Sequence, residues 1–140
     1  MYDEELDRYN YLSINLFIFP IIWSLYLKCN LFLFQSSMIL ITGFFYHYSI
    51  SKIKKLTPIL SCVRYFDMIV VHSASFYIFY YTLHFNIYSG ISTMCLTSLF
   101  FLYYLKSKKF SHSYIHLFGS TAILTAIQSC KSNDETCHMC

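Results

Sequence analysis

Long apolar blocks separated by short polar gaps dominate this sequence and limit what it can fold into. Five blocks can be counted, at residues 11–27, 31–48, 65–83, 87–105 and 113–127. Only 12% of the 140 residues are charged, whereas 56% are hydrophobic and 21% are aromatic. A soluble domain normally carries about 25% charged residues, and one of this size has too much surface to bury so many large apolar side chains. Disorder is excluded as well, because disordered chains are poor in aromatic residues.

The blocks predict an all-α fold, a polytopic transmembrane bundle of about five helices. Each is a little shorter than the roughly 20 residues that cross a bilayer as a helix, so we expect polar or aromatic flanks to complete each span. The alternating pattern of a membrane β-barrel is absent, and a backbone in lipid must satisfy its own hydrogen bonds. Residues 1–10 are an acidic tail, residues 11–130 the transmembrane domain and residues 131–140 a Cys-rich tail. Pro20 is expected to kink the first helix.

The distribution of Lys and Arg predicts the orientation. Eight of the ten basic residues fall in the N-terminal tail and in the second and fourth gaps, and two, Lys28 and Lys131, fall on the other side. Because positive charge stays cytosolic, we expect an integral multi-pass membrane protein with a cytosolic N-terminus and a luminal or extracellular C-terminus. Membrane lipids are the expected partners, and nucleic acid is not, because no polar domain can present a basic patch. On the non-cytosolic side, where disulfide bonds persist, lie Cys29, Cys130, Cys137 and Cys140.

Four ionisable residues inside the blocks carry the functional prediction, because such groups are costly in lipid and usually face the bundle interior. His47 ends the second helix, Asp67 lies near the start of the third, and His112 and His116 begin the fifth, so all four are expected at one depth near the cytosolic side. His112 and His116 share one helical face. With His47 they match the three His ligands of a catalytic zinc site, which makes a hydroxide available near neutral pH. Asp67 would orient the water, take its proton or hold a ligand imidazole.

Simpler interpretations of these residues stay open. The H-x-x-x-H spacing occurs by chance, histidines at a helix end also sit among lipid headgroups, and an Asp near a helix N-terminus is stabilised by the helix dipole. His72 lies about 140° around the helix from Asp67, so we expect it to be structural. His84 falls in a gap on the opposite side of the membrane. The C-x-x-C spacing of the C-terminal tail has no second pair and is a weak metal motif.

Three segments of the chain resemble the signature segments of the CREST superfamily, which includes alkaline ceramidases and progestin/adipoQ receptors. They are LITGFFYH at residues 40–47, RYFDMIVV at residues 64–71 and HSYIHLFG at residues 112–119. The resemblance implies a zinc ion held by His47, His112 and His116, with Asp67 as the catalytic acidic partner. It also implies a zinc-dependent hydrolase acting on a lipid amide or ester.

The chain departs from this family in two ways. The family usually has a Ser four residues before the helix-two His, whereas this chain has Gly43, with Thr42 beside it. Family members have seven helices, and a bundle with two fewer keeps the last helix starting on the cytosolic side but shrinks the cavity for an acyl chain. The alternative function is therefore a non-enzymatic membrane scaffold or receptor-like protein of viral or AT-rich-genome type, with or without structural zinc.

Overall fold

The computed structural model describes residues 11–52, 58–85 and 111–132, together with residues 87, 88, 91, 92, 95, 98, 99 and 102. These residues are almost entirely helical and include no strand, which confirms the all-α prediction for this part of the chain. A 3-10 turn, Ile14–Phe17, leads into helix α1. The helices are α1 (Ile18–Leu27), α2 (Asn30–Lys52), α3 (Pro58–Phe85) and α4 (Ser111–Ser132).

Three of the helices extend beyond the apolar blocks that predicted them. Helix α3 begins at Pro58 rather than at Tyr65, and α2 and α4 each include polar residues at both ends. Proline is favoured at the first helical position, where its missing N–H leaves no hydrogen bond unmade. Hydropathy therefore marked where the chain is apolar and not where the helices end. The predicted helix at 87–105 is described only at scattered positions, all helical, and the predicted tails at 1–10 and 133–140 lie outside the described residues.

A tight hairpin joins α1 to α2. Lys28 adopts a left-handed conformation with φ of 59°. Its N–H donates to the carbonyl of Leu25 at 3.2 Å, and the Cys29 N–H donates to the carbonyl of Ser24 at 2.9 Å. This pair of bonds is a Schellman motif, which satisfies carbonyls at the end of a helix. The hairpin lays α1 and α2 against each other.

Helix α4 closes the bundle by packing against α1, α2 and α3. Pro20 has no N–H to donate to the carbonyl of Leu16, four residues earlier. The Ser120 hydroxyl of α4 donates to that carbonyl at 2.9 Å instead. The break expected at Pro20 thus takes the form of a 3-10 turn just before it, and the affected carbonyl is tied to α4.

The bundle has a mixed interior and an apolar exterior. Its core cluster includes Ile14, Phe17, Phe32 and Ile123. Large apolar side chains such as Phe19 and Phe34 are exposed on α1 and α2, as are many on α3. Buried among the described residues are also the polar side chains Ser24, Gln35, Ser36, Thr42, His47, His116 and Ser120.

One helix in the described part of the chain is long and apolar enough to cross a membrane. It comprises Pro58–Tyr80, 23 residues with a mean hydropathy of 1.2, and only 11% of its most apolar window is buried inside the structure. The N-terminal helical segment Tyr11–Leu27 is apolar but shorter. Length and composition therefore identify one candidate span, and the predicted five are not established.

Candidate functional site

Two histidines from different helices meet inside the bundle. His47 of α2 is 4% exposed and His116 of α4 is 7% exposed. Their ring centroids are 5.1 Å apart and their planes are inclined by 79°. The sequence predicted that these residues lie at helix ends near the same side of the membrane. In the structure their rings lie next to each other.

The spacing of the two rings fits a shared metal ion. With ligand nitrogens about 2.0–2.1 Å from a tetrahedral zinc, the centroids of two coordinating imidazoles lie about 5 Å apart. Imidazole is also a ligand type that zinc prefers. His47 and His116 could therefore hold one ion between them.

The third predicted ligand, His112, lies in α4 one turn before His116. Its side chain is outside the described residues. Among the side chains that are described, no group of three or more His, Cys, Asp or Glu residues converges on a point. The three-histidine zinc site therefore stays a prediction.

Ser13 contacts the His116 ring directly. A hydrogen bond of 2.7 Å joins Ser13 Oγ and His116 Nδ1. The Phe17 ring packs edge-on against the same imidazole, with centroids 6.1 Å apart. Both contacts come from the turn before α1, which the Ser120–Leu16 hydrogen bond holds against α4.

Asp67 is tied to α2 through Thr42. The Thr42 hydroxyl donates to Asp67 Oδ1 at 2.9 Å, Thr42 is buried and Asp67 is half-buried. This bond fixes one carboxylate oxygen of α3 against α2. Thr42 is the neighbour of Gly43 in the sequence, and the structure places its hydroxyl on the acidic residue of the predicted site.

Gly43 lies at the meeting point of Asp67 and the turn before α1. A Cβ atom built on Gly43 would be 3.7 Å from Asp67 Oδ1, but 2.5 Å from Ile14 Cδ1 and 3.0 Å from Ile14 Cγ1. A side chain at Gly43 would therefore lie beside the Asp67 carboxylate. Ile14 occupies that space instead.

The site extends over about one turn of α2. Gly43 and His47 are four residues apart, so they share one face with a rise of about 6 Å between them. Asp67 thus lies about one turn from the histidine pair. The assembled site contains Ser13, Ile14, Thr42, His47, Asp67 and His116.

His72 and His84 lie apart from this group. His72 is exposed, and its Nδ1 is 2.7 Å from the Met68 carbonyl of its own helix. The exposed His84 stacks on Tyr80 with ring centroids 6.2 Å apart. Neither ring is described in contact with His47 or His116.

Sequence reasoning missed two of the residues that shape the site. Ser13 and Ile14 belong to the first apolar block, and the Ser13–His116 contact spans 103 positions in the chain. No local spacing predicts such a contact. The only sequence signal was a hydroxyl residue within an apolar block, which several other serines share.

Comparisons with known proteins do not assign this chain to a family. No protein-family model, no curated protein and no solved structure matches the chain. The resemblance to the CREST superfamily therefore rests on the three sequence segments themselves. What that resemblance implies is a proposal.

Proposed function

We propose that this chain is a multi-pass membrane protein that binds zinc between helices and hydrolyses a lipid amide or ester. The observation that carries the proposal is the buried His47–His116 pair, with ring centroids 5.1 Å apart. Two imidazoles from separate helices at this spacing match the separation of two histidine ligands on one tetrahedral zinc ion. A metal ion would use that arrangement.

The polarity of the bundle supports the membrane assignment. In lipid, helices expose apolar side chains and place small and polar residues at their contacts. Large apolar residues such as Phe19, Phe34 and Ile69 are exposed here, while Ser36 and Ser120 are buried. In a soluble monomer, exposed apolar side chains in such number would mark an interaction surface or an aggregation liability.

The residues of the chain divide the chemistry between them. His47 and His116, with His112 as the third ligand, would hold zinc, which when bound makes a water molecule nucleophilic near neutral pH. Asp67, oriented by the Thr42 hydroxyl, accepts the proton that the attacking water loses. It then returns the proton to the departing amine or alcohol.

An apolar groove supports a lipid substrate. It lies between α2 and α3, has a volume of about 460 Å³ and includes Met38, Phe45, Val63 and Phe66 in its lining. Thr42, which bonds Asp67, lines the same groove. An acyl chain in this groove would run from the lipid toward the carboxylate, and the lipid class follows from the CREST resemblance.

One observation favours the non-enzymatic alternative. Ile14 fills the space beside Gly43 and Asp67 that the side chain of a serine at position 43 would enter. A scaffold that kept the metal for structure would tolerate this filling. An enzyme would need Ile14 to move.

Hydrolysis by purified protein in lipid nanodiscs distinguishes the two functions. We expect wild-type protein to release fatty acid from a ceramide or ester lipid, and we expect Asp67→Asn to abolish release while it retains zinc. The matched control is Ser75→Ala, which removes a hydroxyl that donates to the Val71 carbonyl of its own helix. Zinc-loaded wild-type protein that releases no fatty acid from any amide or ester lipid would favour the scaffold.

A further inference from the structure

We propose that Ser13 is a positioning residue that fixes the ring tautomer of His116. In this arrangement His116 Nδ1–H donates to Ser13 Oγ, which leaves the Nε2 lone pair as the ligand atom. The inference rests on the proposed metal function for its purpose, but the hydrogen bond itself can be tested without metal.

The geometry of the contact supports this role. Ser13 Oγ and His116 Nδ1 are 2.7 Å apart, and the ring is 7% exposed, so water competes little for the nitrogen. A neutral imidazole carries one N–H and one lone pair, and the group that binds one nitrogen determines which nitrogen is left to bind a metal. Histidine ligands usually donate their other N–H to an oxygen that holds the ring in place.

A second hydrogen bond, between Ser120 and Leu16, allows the effect of Ser13 on the His116 ring to be distinguished from an effect on helix packing. Ser120 lies one turn after His116 on α4 and donates to the Leu16 carbonyl at 2.9 Å. Leu16 lies one turn after Ser13, so two bonds tie the segment from Ser13 to Leu16 to α4. If Ser13 is replaced, Ser120 still holds the two segments together, and the loss falls on the His116 ring.

Gly119 and Phe17 hold the same interface at close range. A Cβ atom on Gly119 would lie 3.1 Å from Phe17 Cζ, so the two segments pack closely there. The Phe17 ring also packs against the His116 imidazole. The imidazole is therefore held from the side by Phe17 and at Nδ1 by Ser13.

The first experiment reads the tautomer in metal-free protein. Nitrogen-15 labelled histidine is incorporated, the ring signals are recorded in micelles at a pH where imidazole is neutral, and the His116 signal is assigned by its loss in His116→Gln. We expect His116 to be protonated at Nδ1 in wild-type protein and in Ser13→Thr, and to lose that preference in Ser13→Ala. A wild-type His116 protonated at Nε2 would overturn the proposal, whether or not the protein binds zinc.

The second experiment measures zinc affinity by competition with a chromogenic chelator. Loss of a partner that orients a metal ligand typically costs 10–100-fold in affinity, so Ser13→Ala should raise the zinc dissociation constant by about that factor. Ser13→Thr should stay close to wild type, and so should the matched control Ser120→Ala. Unchanged affinity in Ser13→Ala, or an equal loss in Ser120→Ala, would overturn the positioning role.

The two experiments also separate this inference from the function beneath it. A wild-type protein with the Nδ1–H tautomer, lost in Ser13→Ala, but with no zinc binding would uphold Ser13 as the residue that positions His116. The same result would refute the metal site. The positioning role of Ser13 and the proposed metal site can therefore be refuted independently of each other.

Discussion

Restoring a side chain at Gly43 tests how tightly Ile14 fills the site. In Gly43→Ser the new Cβ would approach Ile14 Cδ1 to 2.5 Å and Cγ1 to 3.0 Å, and Ile14 is only 2% exposed, so it has little room to move aside. Overpacking of this kind costs about 1–3 kcal/mol, while replacing a helical glycine by serine returns about 0.5 kcal/mol of helix propensity. We expect Gly43→Ser to lower the free energy of unfolding by about 0.5–2.5 kcal/mol.

Trimming Ile14 should relieve that cost. Ile14→Val removes Cδ1 and by itself should cost about 0.5–1.5 kcal/mol. Because it also removes the 2.5 Å contact, the double variant Ile14→Val/Gly43→Ser should be at least as stable as Gly43→Ser alone. Contacting residues show coupling energies of about 0.5–3 kcal/mol, which lies within the range of a reversible denaturant titration in mixed micelles followed by circular dichroism.

A second glycine provides the matched control. A Cβ on Gly119 would lie 3.1 Å from Phe17 Cζ, an approach that needs a shift of only a few tenths of an ångström. Gly119→Ser should therefore cost less stability than Gly43→Ser. If Gly43→Ser is neutral, or if the double variant shows the sum of the two single costs, then Ile14 does not fill the space beside Gly43 in the way described.

Three further outcomes are expected. Thr42→Val should lower the free energy of unfolding by about 1–3 kcal/mol, because Asp67 Oδ1 loses the hydroxyl that donates to it. Thr42→Ser should stay close to wild type in the same titration. Equal stability of the two variants would contradict the hydrogen bond. Lys28→Gly should raise the free energy of unfolding by about 0.5 kcal/mol. It relieves about 1–2 kcal/mol of strain in the left-handed conformation, and this exceeds the entropic cost of ordering a glycine, about 0.5–1 kcal/mol. A destabilised variant would argue against the left-handed turn. In a selective permeabilisation assay, an N-terminal tag should be cytosolic and a C-terminal tag should lie on the opposite side of the membrane. A cytosolic C-terminal tag would contradict the predicted five-helix topology.

The sequence predicted the helical elements well where the apolar pattern and the chain geometry agree. The first block, 11–27, coincides with the helical segment Tyr11–Leu27, because the hairpin after it ends both the apolar run and the helix. Helix α3 begins earlier than its block, at Pro58, because the first turns of a helix do not require apolar residues. The apolar blocks predicted five spans, whereas among the described helices only Pro58–Tyr80 is long and apolar enough to cross a membrane.

The candidate site was only partly accessible from the sequence. Helix order and membrane side were enough to place His47 near His116, because both residues lie at helix ends expected at one depth. The role of Thr42 depended on how α2 is rotated toward Asp67, which angular spacing within one helix cannot give. Ser13 and Ile14 depend on how the turn before α1 packs against α2 and α4, a contact between segments far apart in the chain.

Metal analysis of the purified protein tests the central claim, that His47 and His116 share a zinc site inside a membrane bundle. Protein extracted in detergent without added chelator should contain close to one zinc per chain, because structural and catalytic zinc sites both bind one ion with at least three protein ligands. His47→Ala and His116→Ala should each lower the zinc content markedly, while His84→Ala, whose ring stacks on Tyr80 away from the pair, should retain it. Wild-type protein without zinc, or full occupancy in the double variant His47→Ala/His116→Ala, would contradict the account.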